Sequence, residues 1–165
     1  MGLITFKGTL LILFGLLAII IPMAPISSTP LFFEIPDIVI CIIFSWLLND
    51  PKNTPVSSIL FLSLMADIMW QRPLGLWPMF ILIASELVRY YRLKITNQGI
   101  VTKLFYFTIF LIFINCGVKF LSLVGILRPL DFSIWLNHFL LTILSFSIVN
   151  VILENTIFKH EKKPN

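Results

Sequence analysis

The sequence predicts an all-α integral membrane protein with about six transmembrane helices in one compact bundle, and three observations predict it. The 165 residues are 58% hydrophobic and only 12% charged, where a soluble domain carries about 25% charged residues. The mean hydropathy is +0.99, and a core able to hide so much apolar surface from water would be larger than this chain can cover. The apolar residues also fall into six runs of roughly the length a bilayer core requires, about 20 residues, separated by short polar segments. The length fits one transmembrane domain over residues 1–165.

The first span is expected from Thr9 to Ile26, with Pro22 and Pro25 near its end, where lost backbone bonds are tolerated. Lys7 precedes this run, but the run exceeds a signal-peptide core and no small-x-small cleavage site follows, so it is read as a retained span. The second span runs from Leu31 to Leu48, with Glu34, Pro36 and Asp37 in its first turns. Proline suits a first helical turn and acids suit the positive end of the helix dipole, so the helix proper is expected to start near Pro36. Asn49 to Thr54 form a polar turn. The third span (Pro55 to Trp70) and the fourth (Leu74 to Tyr90) are joined only by Gln71-Arg72-Pro73, which predicts a tight helical hairpin. Arg89 to Lys103 form the longest loop, followed by spans five (Leu104 to Leu127) and six (Phe132 to Phe158).

Six spans put both termini on one side, and the Lys/Arg distribution orients them. Lys7, Lys52, Arg89, Arg92, Lys94, Lys103, Lys159, Lys162 and Lys163 share the side of the termini, and only Arg72 and Arg128 lie opposite, which predicts cytoplasmic termini. The net charge of +4 is spread over these short loops and does not point to nucleic acid. Cys41 and Cys116 both lie in apolar runs, as packing residues rather than a disulfide or a metal site. Trp46, Trp70, Trp77, Tyr90 and Tyr91 sit near predicted span ends, where an aromatic belt belongs. The segment Arg89-Tyr90-Tyr91-Arg92-Leu93-Lys94 is expected to contact anionic lipid, with docking of a cytoplasmic protein as the rival.

Ionisable residues within the bilayer are costly and need a partner or a cavity. Glu86 lies one turn from Arg89 and suggests an interfacial pair. Asp37, Asp67 and Lys119 are expected at similar depth in the outer half. Lys119 is expected to pair with one or both acids and tie spans two, three and five together, so that Lys119→Glu would wreck folding. A structural tie, a partner-docking surface and a transport site are the readings of this cluster, in that order. Thr108, Asn115 and Ser122 on span five, and His138, Thr142 and Ser145 on span six, are each expected on one helix face as packing seams. No nucleophile–base pair, phosphate loop or metal cluster is recognisable, so nothing argues for an enzyme or a cofactor.

One ordered set of residues is more specific. Ile35-Pro36-Asp37-Ile38-Val39-Ile40-Cys41 is followed by Trp46, Pro51, Leu64-Met65-Ala66-Asp67, Gln71-Arg72-Pro73-Leu74-Gly75-Leu76-Trp77 and Ser85-Glu86-Leu87-Val88-Arg89. At these spacings the set resembles the rod shape-determining MreD family, in its alphaproteobacterial form. The resemblance covers residues 35–89, about a third of the chain; the other spans match in length and hydropathy. Asn49-Asp50-Pro51 departs from the family, whose members often carry basic residues before that proline.

The resemblance implies a non-enzymatic scaffold in the bacterial inner membrane, needed for rod shape and lateral peptidoglycan synthesis. The implied partners are MreC, the MreB filament and the glycosyltransferase–transpeptidase pair that builds peptidoglycan. The implied fold is similar to the six-helix substrate-binding subunits of energy-coupling-factor transporters. Pro36, Asp37, Trp46, Asp67, Arg72, Pro73, Gly75, Glu86 and Lys119 are then candidates for structure or partner docking, with Gly75 allowing close backbone approach at the hairpin. The shared fold keeps a vitamin-binding transporter subunit as the alternative. Such subunits dock through small residues four apart, often Ala-x-x-x-Ala, and the first span lacks a clean instance. A carrier of lipid-linked precursor is the third option, and it would need a polar cavity.

Overall fold

The computed structural model describes residues 6–23, 36–71, 73–96, 98–123 and 132–157, and the regular structure among them is entirely helical. The helices are α1 (Phe6–Ile20), prolonged by a 3-10 turn (Ile21–Met23), α2 (Ile38–Asn49), α3 (Val56–Met69), α4 (Leu76–Thr96), α5 (Ile100–Leu123) and α6 (Phe132–Thr156). Six helices lie where six runs were expected. Pro25, Glu34 and Arg128 fall outside the described residues.

The middle of the fold is α2. Every residue from Val39 to Leu48 is buried, as expected of a helix that is apolar on all sides. Helices α1, α3, α4 and α6 pack around it, while α5 packs on α4 and α6. Three phenylalanines tie α5 and α6 to α2. Phe44 lies 5.1 Å from Phe107, 5.2 Å from Phe110 and 5.4 Å from Phe146 between ring centroids, and Phe107 stacks on Phe146 at 4.0 Å. Gly8, Gly15 and Ala18 turn the buried face of α1 inward. A Cβ at Gly15 would come within 2.6 Å of the Leu62 methyl groups on α3, so Gly15 serves the contact between α1 and α3.

Several boundaries differ from expectation, each for a local reason. Helix α2 begins at Ile38 because Asp37 is its N-cap, accepting the Ile40 N–H at 3.3 Å. It stops at Asn49 because Asp50 precedes Pro51, which disfavours helical backbone at the preceding residue; Asp50 has φ −141°. The long loop expected over Arg89 to Lys103 is instead mostly helix. Helix α4 runs on to Thr96 and α5 starts at Ile100. The charges there end a hydropathy run but not a helix, since arginine, lysine and leucine are all good helix formers.

The exterior of α5 and α6 is apolar, and several polar side chains are buried beside an apolar core. The exposed side chains of α5 include Val101, Phe105, Ile109, Ile112, Phe113 and Phe120, and those of α6 include Leu136, Leu140, Leu144, Ile148 and Ile152. Asp37, Ser45, Asp67, Ser85, Lys103, Thr142 and Asn150 are buried. Helices α5 and α6 are long and apolar enough to cross a membrane.

Candidate functional site

Three sets of polar contacts stand at a helix seam and at the turns between helices. The first is the seam between α2 and α6. Asp37, Cys41 and Ser45 recur every four residues on α2, and so share one face. Opposite them, Thr142 and Asn150 lie on one face of α6. The Asp37 N–H donates to Thr142 Oγ1 at 3.2 Å, and the Thr142 hydroxyl donates to the His138 carbonyl at 2.7 Å. The Cys41 thiol donates to the Thr142 carbonyl at 3.6 Å, and the Ser45 hydroxyl to Asn150 Oδ1 at 2.9 Å. Such bonds satisfy buried polar groups and tie α2 to α6. The seam expected on α6 from His138, Thr142 and Ser145 is therefore corrected. Only Thr142 of the three is buried, and Phe146, Asn150 and Leu153 complete the inward face.

The second set closes the turn between α3 and α4. Asp67 is fully buried, and its Oδ2 accepts the Gly75 N–H at 3.0 Å. Gly75 has φ +87°, a left-handed backbone. A Cβ there would meet nothing within 4 Å. Glycine is thus required by the backbone angle, and the expected close approach is corrected. Gln71, at φ 53°, ends α3 in the same left-handed region. Pro73 is exposed in this turn, and Arg72 lies outside the described residues. Gly75→Ala is expected to lower stability by about 1 kcal/mol, read from the thermal unfolding of the purified protein.

The third set was not foreseen. Arg92 Nε donates to the Leu48 carbonyl at 2.8 Å and Nη2 to the Asn49 carbonyl at 3.2 Å, while the Thr96 hydroxyl reaches Leu48 O at 3.1 Å. Arg89 Nη2 donates to the Thr54 carbonyl at 3.0 Å. Helix α4 thus caps the last carbonyls of α2, where a cation also matches the helix dipole. The turn between α2 and α3 is closed by Asp50, whose carboxylate accepts from the Asn53 N–H at 3.3 Å and from Nδ2 at 2.8 Å. Arg92→Gln is expected to cost about 1 kcal/mol, with Arg92→Lys restoring only part because an ammonium lacks the planar fork. Thermal midpoints of the two variants test this.

The remaining candidates divide. Glu86 pairs with Arg89 at 3.4 Å, as expected. The Lys119 ammonium sits 4.0 Å from the Trp135 ring centroid, and the Trp135 indole N–H donates to Asn115 Oδ1 at 2.9 Å. Lys119 therefore joins α5 to α6, while Asp37 and Asp67 accept the backbone N–H groups of Ile40 and Gly75. Lys103, counted as a loop charge, is buried and pairs with Glu154 across the other end of α5 and α6. Trp46 is completely buried, 6.3 Å from Phe14, and does not belong to a surface belt. Trp70 and Trp77 pack edge to face at 6.0 Å beside the turn between α3 and α4. Tyr90 and Tyr91 are exposed. Pro36 is half-buried just ahead of the α2 cap.

The α2–α6 groups bond to one another across the helix contact. Among the described residues no three His, Cys, Asp or Glu side chains gather into a metal site. No protein-family model, curated protein or solved structure matches this chain.

Proposed function

We propose that this chain is a multi-pass protein of the bacterial inner membrane, a six-helix bundle with both termini in the cytoplasm. We further propose that it is a non-enzymatic scaffold of the machinery that elongates the lateral cell wall. The apolar exterior of α5 and α6 supports the membrane half. An apolar exterior that would aggregate in water is the proper exterior in lipid. The short α2 fits this setting because it is enclosed by other helices.

The scaffold half rests on the resemblance of residues 35–89 to the MreD family. The residues that carry it have architectural roles: Asp37 caps α2, Asp67 and Gly75 close the turn between α3 and α4, Trp46 fills the centre, and Arg89 supports the turn between α2 and α3. A motif spent on holding a shape suits a protein that offers a surface and leaves chemistry to others. In this reading MreC binds the bundle, and the MreB filament and the peptidoglycan synthase pair associate directly or through MreC.

Controlled depletion in the native host tests the proposal. Rods are expected to widen or round up while nutrient uptake stays normal. Preserved shape with failed uptake of a vitamin would overturn the scaffold and favour the transporter subunit.

A further inference from the structure

We propose that the corner between the α2–α3 turn and the last turns of α4 binds the phosphate of an anionic phospholipid, through Arg89, Arg92 and Lys52. The proposal rests on the membrane reading above, which places this corner at the cytoplasmic interface.

Basic residues in a membrane-flanking loop are ordinarily mobile point charges. Here two of them are fixed. Arg92 is held by the Leu48 and Asn49 carbonyls and Arg89 by the Thr54 carbonyl. A guanidinium carries five N–H donors, so these bonds to backbone leave donors on both groups for an anion. Their side-chain freedom is already spent on the fold, which lowers the entropy cost of binding. The two arginines stand one turn apart on α4; Arg92 reaches the end of α2 and Arg89 the end of the turn that follows, and the exposed Lys52 lies between those two points in the chain.

The local charge favours an anion. Glu86 faces Arg89, and the Asp50 carboxylate accepts from Asn53, while Arg92 and Lys52 add two further cations, with Lys94 over the Tyr91 ring on the next turn. The rim favours a lipid over free phosphate. Tyr90 is 81% exposed and Leu93 75% exposed, beside exposed Leu87. Such side chains belong at the level where headgroups meet acyl chains.

The test uses the purified full-length chain in lipid-free detergent micelles, titrated with phosphatidylglycerol or phosphatidylcholine and followed by its thermal midpoint. Phosphatidylglycerol is expected to raise the midpoint, and phosphatidylcholine and inorganic phosphate to leave it unchanged. Lys52→Gln, in a surface turn, is expected to weaken the apparent phosphatidylglycerol affinity about fivefold, and Arg89→Gln at least as much. Equal stabilisation by both lipids, the same shift with inorganic phosphate, or an unchanged lipid response in Lys52→Gln would each overturn the site. Alkaline carbonate extraction of host membranes separates the two proposals. A chain that stays in the membrane but ignores phosphatidylglycerol refutes the lipid site alone. A chain released by carbonate refutes the membrane reading and the site with it.

Discussion

Replacing Phe44 by alanine is expected to destabilise the protein by about 3 kcal/mol, at the low end of the usual range for a buried phenylalanine. Phe44 is the contact through which α2 meets Phe107 and Phe110 of α5 and Phe146 of α6. If the chain unfolds within a membrane or micelle, the freed ring still lies in hydrocarbon, so the transfer part of the cost is small. The lost ring–ring dispersion and the cavity remain. Phe44→Leu keeps most of the volume and is expected to cost less than about 1.5 kcal/mol. Phe105, which is exposed on α5, provides the control, and its alanine variant is expected within about 0.5 kcal/mol of wild type. Denaturant titration of the three variants in one detergent checks the order. Phe44→Ala no weaker than Phe105→Ala would contradict the central place of α2.

That place has a consequence for partner binding. Asp37, Trp46 and Asp67 are buried, so a partner does not touch them without rearranging the fold. Of the residues singled out for docking, Pro73, Glu86 and Lys119 are exposed. They sit on the turn between α3 and α4, on the outer face of α4 and on α5. A scaffold built on these helices keeps a fixed core and presents its outer helices, and substitutions in α2 would then disturb every partner at once.

The helices were legible because exposed and buried residues are both largely apolar, which leaves six apolar runs. The same fact concealed which face of each helix points inward. On α6, the spacing of His138, Thr142 and Ser145 suggested one seam, and the one used runs through Thr142, Phe146, Asn150 and Leu153. The partners of Thr142 and Asn150 lie more than 100 residues away on α2, and no local pattern announces them. A usable signal was present in the four-residue recurrence of Asp37, Cys41 and Ser45 on α2. Helix α4 extends to Thr96 because the charges of Arg89 to Lys94 interrupt hydropathy but not helix formation. Arg89 and Arg92 face carbonyls that only the folded α2–α3 corner brings within reach.

Asp67→Ala is expected to cost about 2 kcal/mol, because it removes the acceptor of the Gly75 N–H from a buried position. Asp67→Asn retains an oxygen in the same place, and it is expected to recover most of the loss. The pair of variants separates position from charge. A carboxylate needed only to close the α3–α4 turn is replaceable by an amide, whereas a carboxylate needed for its charge is not. Under the scaffold proposal the turn also sets the angle at which α3 and α4 present their outer faces. Co-purification of MreC is therefore expected to fall in Asp67→Ala and to return in Asp67→Asn along with the thermal midpoint. Normal stability and normal MreC recovery in Asp67→Ala would show that the turn holds without this bond. Recovery of stability without recovery of MreC in Asp67→Asn would transfer the role of Asp67 from shaping the hairpin to the electrostatics of the partner contact.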